Sequence, residues 1–155
     1  MPQYLKEALH KFQHPVPQCP QDAPHLWNRP TYGADIQYAS NDDISSFLPT
    51  KYITLILNVF GTLLHYVIAV SPAMIVALGS ITSQKSKATK KTYEETLWLF
   101  NYAASHPDAT IHYRANNMVL YIHSDASYPS EPRSHSRAGG HYFLSDRSPN
   151  PLLPP

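Results

Sequence analysis

From Tyr52 to Gln84 the chain carries no Asp, Glu, Lys or Arg, and Lys51 and Lys85 bracket the run. An uncharged segment of that length has two physical homes, a bilayer or the middle of a packed helical layer. A membrane span needs about 20 mainly apolar residues, and Ile53–Val70 meets that length. Against a span, Asn58, Gly61, Thr62 and His65 interrupt the run. Ser71-Pro72 also reads as an N-cap followed by proline in a first helical turn. The spacing predicts two helices, about Thr50–Ala69 and Pro72–Ser83, buried against each other and a partner layer. The competing reading is a small membrane-associated protein with a span inside Tyr52–Ser83.

The flanks differ in character. All but Pro72 and Pro107 of the 15 prolines crowd into Pro2–Pro49 and Pro129–Pro155, so Thr50–Tyr128 is the stretch best able to build a continuous core. With 43% hydrophobic and 15% charged residues, the 155-residue chain suffices for one ordinary domain. Leu5, Ala8, Leu9 and Phe12 recur at helical spacing over Tyr4–Phe12, and Pro15 with Pro17 ends that helix. His10 and His14 are spaced like a helical metal pair, but Pro15 pulls His14 out of helical geometry. They read as exposed helix-end histidines before they read as zinc ligands. Pro15 to Pro49, with His25, Trp27, Arg29 and Tyr32, reads as a connector that is either a tail or a loop wrapping a neighbour. Within it, Asp42-Asp43 reads as a polar turn or a cap leading into the next helix.

Lys85, Lys87, Lys90 and Lys91 form the one basic cluster in a chain whose formal charge is only +1. Any contact with nucleic acid must therefore be local. These lysines have the charge and reach to touch phosphates, or they are a solvated linker; no aromatic residue is interleaved with them to stack bases. A helix follows, capped at Thr89 or Thr92, with Tyr93, Leu97, Trp98, Phe100 and Tyr102 among its apolar positions and Pro107-Asp108 closing it. Thr110–Ala115 then alternates as a strand, and Asn116-Asn117 suits a tight turn into Met118. The single Cys19 excludes an internal disulfide and a cysteine-based zinc site. No charged n-region precedes an early apolar run, as a secretory signal would have, which fits an intracellular chain, in cytoplasm or nucleus.

Val119, Tyr121 and His123 alternate with Leu120, Ile122 and Ser124 in a strand that presents Asp125 at its C-terminal end. Ser136–Asp146 reads as a second strand, with Gly139-Gly140 at its entrance to let the backbone bend or bulge. Strand, aspartate, turn-rich connection and Gly-led aromatic strand together resemble the opening hairpin of the ribonuclease H domain in copia-like LTR-retrotransposon polyproteins. Upstream, Met1–Phe12 is similar to the segment leaving the reverse-transcriptase palm. Phe60-Gly61-Thr62-Leu63-Leu64-His65-Tyr66 through Pro72-Ala73-Met74 is similar to the helices connecting polymerase and nuclease. Where the family commonly has Tyr-Tyr-Ala-Arg-Ala-Val-Asp-Pro, this chain has His65-Tyr66-Val67-Ile68-Ala69-Val70-Ser71-Pro72, without the arginine and the aspartate.

The resemblance implies an α+β fold: a helical connection segment followed by a small antiparallel three-stranded sheet, an incomplete ribonuclease H-like fold. Its divisions would be a Pro-rich connector with a short helix at 1–49, a helical connection region at 50–106, a partial ribonuclease H-like hairpin region at 107–147 and a Pro-rich tail at 148–155. It also implies that Asp125 is the inherited catalytic and metal position. The intact family holds two Mg2+ ions about 4 Å apart with several carboxylates and acts on an RNA–DNA hybrid or DNA. One carboxylate does not hold two such ions. Asp146 follows a strand and matches no family ligand, and Glu131 sits in the Pro-rich connection. The expectation is therefore a polyprotein fragment with neither polymerase nor nuclease activity and no bound Mg2+. Read without the resemblance, Asp125 is a strand-end turn residue. Ser124 and Ser127 flank it, but no Gly-x-Ser-x-Gly turn exposes a serine nucleophile.

Overall fold

The computed structural model describes residues 2–26, 43–84, 87–131 and 135–146. Among the described residues the chain is α+β, with four α-helices and a two-stranded antiparallel sheet. The helices are α1 (Pro2–Lys11), α2 (Thr50–Ala69), α3 (Ile75–Ser83) and α4 (Lys90–Ser105); the strands are β1 (Val119–Glu131) and β2 (His135–Ser145). Two compact units result, one holding all the helices and the other the hairpin. Trp27, Arg29, Tyr32, Asp42, Lys85 and the tail at 148–155, all singled out in the sequence, lie outside the described residues.

The uncharged run becomes α2, a 3-10 turn at Pro72–Met74 and α3, with bounds close to those the spacing predicts. Ile56, Val59, Leu63, Tyr66 and Val67 fall on one face of α2 and are at most 1% exposed. They pack with Met74, Ala77, Leu78 and Ile81 from the turn and α3, and with Leu5 and Ala8 from α1. By length and composition alone α2 is apolar enough to cross a membrane. Its other face exposes Thr54, Asn58, Gly61 and His65 beside Leu57 and Ile68. Ser71 stands before the 3-10 turn as read, but its side chain makes no capping bond; Pro72 at the first position supplies the stop and restart.

On α4 the buried line is Thr92, Thr96, Leu99, Phe100 and Ala103. The large residues expected to define its apolar face, Tyr93, Leu97, Trp98 and Tyr102, are only partly buried. Two threonines thus occupy core positions that hydrophobic spacing assigned elsewhere. Thr96 satisfies its hydroxyl by donating to the Thr92 carbonyl at 2.8 Å.

The described first part of the connector runs along α4 instead of trailing away. The His14 ring and the Asn101 side chain share a 2.8 Å hydrogen bond. Gln21 N donates to Ser105 Oγ at 2.9 Å, and Trp98 Nε1 donates to the Ala23 carbonyl at 2.9 Å. Phe12 and His14 both lie against the Phe100 ring, with centroids 5.4 and 5.1 Å away. His14 is therefore a packing residue beyond the end of α1, and the spacing that paired it with His10 has no helix to act through.

In the hairpin, pairing runs continuously from Val119 opposite Ser145 to Ser127 opposite Arg137, and is irregular between Ser127 and Glu131. Two expectations are corrected here. Asp125 is not at the end of its strand: β1 continues to Glu131, which places Asp125 mid-strand opposite Gly139. Gly139-Gly140 accordingly lies inside β2 and not at its entrance. A Cβ on Gly140 would stand 2.8 Å from the Tyr142 ring, which folds back over that position.

The third strand expected at Thr110–Ala115 does not form: that segment has no strand pairing among the described residues. The physical reason lies in Asn116 and Asn117. Asn116 Nδ2 donates to the Arg114 and Leu144 carbonyls, and Asn117 N donates to Asp146 Oδ1 at 2.8 Å. Those bonds carry the chain across the open end of the hairpin to β2, and Met118 enters β1 through a left-handed backbone (φ 59°). No tight reversal onto β1 forms.

Candidate functional site

Two regions carry the residues singled out above, the start of α4 with its lysines and the hairpin with Asp125. Each belongs to its own unit.

At the start of α4 the leading amides of the helix are already satisfied. Lys90 N donates to the Ser46 carbonyl at 3.0 Å and Tyr93 N to the Thr89 carbonyl at 3.1 Å. Lys91 N donates to Ser45 Oγ at 3.3 Å, and Thr92 N to Thr89 Oγ1 at 3.4 Å. Thr89 N in turn donates to Thr92 Oγ1 at 3.1 Å, completing a capping box. A helix N-terminus attracts phosphate through free amides, and here the chain itself fills them. Asp43 belongs to this cap: its carboxylate accepts from Ser45 N, Ser45 Oγ and Thr89 Oγ1. The sequence reads Asp42-Asp43 as a polar turn or a cap leading into the next helix; Asp43 turns onto Ser45 two residues on, and it serves α4, while α2 is preceded by Pro49 with no side-chain cap.

The hydrogen bonds from Ser45 and then Thr89 hold Asp43 below the usual carboxylate range. Its contribution to stability is thus present above the unfolded value of about 3.9 and is lost as pH falls through the folded one.

Lys87, Lys90 and Lys91 are exposed, and acidic neighbours share their surface. Lys90 Nζ lies 3.9 Å from Glu94 Oε1, and Lys91 feels both Asp43 and Glu95. Glu95 Oε2 is buried and finds no partner among the described residues. Burial raises the Glu95 pKa, with Lys91 opposing the rise and Asp43 adding to it. A carboxyl raised on folding keeps its proton longer in the folded chain, so its contribution is full below the unfolded value of about 4.3 and is lost as pH rises through the folded one. The Glu95→Gln variant is expected to melt above the parent at pH 7, the gap narrowing as the pH is lowered to about 4. Thermal melts at several pH values check this; a pH-independent gap refutes it.

On the hairpin, Tyr121, His123 and Asp125 share one face with their cross-strand partners Phe143, His141 and Gly139. Tyr121 stacks on Phe143 at 5.6 Å, and His141 on Phe143 at 4.8 Å. His123 meets Phe143 edge-on at 5.4 Å and His141 edge-on at 6.5 Å. The opposite face exposes Leu120, Ile122, Tyr142 and Leu144, each 45–65% accessible. Asp125 is exposed, and Oδ1 accepts from the following Ala126 N at 2.8 Å. Opposite it, a Cβ on Gly139 would meet nothing within 4 Å.

Among the described residues, no three His, Cys, Asp or Glu side chains are placed to hold a metal ion together. Asp146 is engaged in the closure of the hairpin: its side chain accepts from Asn117 N and its carbonyl from the Tyr121 hydroxyl at 3.0 Å. The Glu131 backbone lies in β1, opposite His135. Among the described residues, the carboxylate set that two Mg2+ ions require is not assembled around Asp125. The aromatic–histidine face escaped the sequence reading, although its signal, alternation of Tyr121-x-His123 against His141-x-Phe143, is present in the sequence.

No protein-family model matches the sequence, and neither does any curated protein or solved structure.

Proposed function

We propose that this chain is a stretch of a copia-like retroelement polyprotein, running from the end of the reverse-transcriptase region through the connecting helices to the first ribonuclease H hairpin. It is non-catalytic as it stands. The observation that supports the reading is the order of elements: helices, then an antiparallel hairpin whose first, aromatic strand carries Asp125 opposite Gly139, although Asp125 is mid-strand and not at the strand end. The four lysines are the residues this reading assigns to nucleic acid, as outer phosphate contacts to an RNA–DNA hybrid. The capped start of α4 leaves such contacts to side-chain charge alone. An intracellular location, in cytoplasm or nucleus, goes with the reading; the alternative is a membrane-associated chain, because α2 buries Ile56, Val59, Leu63, Tyr66 and Val67 but exposes Leu57 and Ile68.

Sequencing the genomic DNA on both sides of the reading frame tests the origin. A Tyr-x-Asp-Asp polymerase block upstream and further acidic nuclease motifs downstream, even if interrupted by stops, are the expected result; finding neither overturns it. The activity is tested separately. The full chain with Mg2+ and a labelled RNA–DNA hybrid is expected to release no more product than buffer alone. Cleavage that requires Mg2+ and disappears in Asp125→Asn would refute the non-catalytic assignment.

A further inference from the structure

The register that places Asp125 opposite Gly139 also places His123 directly opposite His141, both exposed and on the same face of the hairpin. We propose that this cross-strand pair is a binding site for a divalent transition ion that prefers imidazole, with Cu2+ bound most tightly. Directly opposed residues of an antiparallel pair have Cβ atoms about 4.5–5.5 Å apart, which lets two imidazoles converge on one ion. The rings now stand 6.5 Å apart, edge to face. Nitrogen–metal bonds of about 2.0–2.1 Å require them to close by roughly 1–2 Å, a rotation about side-chain bonds that exposure leaves free. Phe143 touches both rings and forms the wall beside the site.

The donor set fixes the class of ion. Two neutral nitrogens suit copper, nickel and zinc, whereas magnesium takes oxygen ligands and keeps its water. With two protein ligands and water completing the shell, affinity follows the intrinsic order, in which Cu2+ exceeds Ni2+ and Zn2+. Asp125, two residues from His123 on the same face, is no third ligand, because no such trio is in reach. The ion would tie β1 to β2, and the site stands whether or not the chain comes from a retroelement.

Cu2+ titration of the full chain carrying Cys19→Ser, which removes the thiol, followed by NMR of the histidine rings, tests the site. The expected result is that His123 and His141 broaden first among the nine histidines, that His123→Asn and His141→Asn each weaken Cu2+ binding at least tenfold, and that Asp125→Asn and a His65→Asn control change it less than twofold. Mg2+ should leave the rings unshifted. Other histidines broadening first, or both histidine variants binding within twofold of the parent, would show adventitious binding only and overturn the site. The contact between the Tyr121 and Phe143 rings reports whether the hairpin survives each substitution. If a variant loses that contact, the order of broadening in the unsubstituted hairpin decides.

Discussion

Leu63→Ala is expected to cost the helical unit about 2–5 kcal/mol, the range for emptying a buried leucine site, and to lower its melting temperature by more than about 10 °C for a domain of this size. Leu63 is 0% exposed and sits in the core cluster on α2, the helix that touches α1, α3 and α4. Removing its side chain forfeits transfer free energy and leaves a cavity that three neighbouring helices cannot all close. Ile68→Ala on the same helix is the matched control. Ile68 is 59% exposed, so its loss should stay within about 0.5 kcal/mol. Circular dichroism melts at 222 nm measure both. Equal costs at the two positions would mean that α2 does not bury one face as described, and would favour the membrane reading of the uncharged run.

Thr92→Val is expected to destabilise by about 1–3 kcal/mol, the cost of leaving a buried polar group without its partner. Thr92 is 0% exposed. Its hydroxyl accepts from Thr89 N at 3.1 Å and donates to Gln84 Oε1 at 3.0 Å. Valine has the same shape, so packing is kept and only the hydrogen bonds are lost. Thr96→Val makes the comparison sharp. Thr96 is equally buried, yet its hydroxyl bonds the Thr92 carbonyl one turn back, a bond that tends to weaken a helix slightly. That substitution should be neutral or stabilising. Chemical denaturation of the two variants separates them, and equal losses would refute the special role of the capping network.

The helices were legible because their ends are written locally. Pro49, Ser71-Pro72, Thr89 and Pro107 each act within one or two residues, and the uncharged run left few other ways to arrange what lies between. The core face of α4 was not legible from hydrophobicity. Thr92 and Thr96 are buried through hydrogen bonds that polarity scales count against them, while Trp98 sits at the margin with its Nε1 held by Ala23. Asp43 shows a second limit. An aspartate before a helix reads as the cap of that helix, and nothing local in the chain announces that its partner is Thr89, 46 residues on. In the hairpin, alternation located both strands but extended the pattern to Thr110–Ala115, where Asn116 and Asn117 spend their hydrogen bonds on the far strand. Asp125 was legible as a candidate; that no metal-holding trio forms around it among the described residues depends on three-dimensional placement.

The clasp between residues 43–48 and the start of α4 also orders events in time. Leu48 N bonds the Ala88 carbonyl and Phe47 pairs with Thr89, so α2 and α3 lie inside a loop closed at its neck. Drawing such a neck together from an open chain of about 45 residues costs roughly 3 kcal/mol of chain entropy, whereas isolated helical turns form within about a microsecond. The neck is therefore expected to close after α2 and α3 have collapsed on each other and shortened the gap. Contacts made that late weigh on the rate at which the chain comes apart and scarcely on the rate at which it assembles. On that order Asp43 and its partners would be a latch on a structure already built.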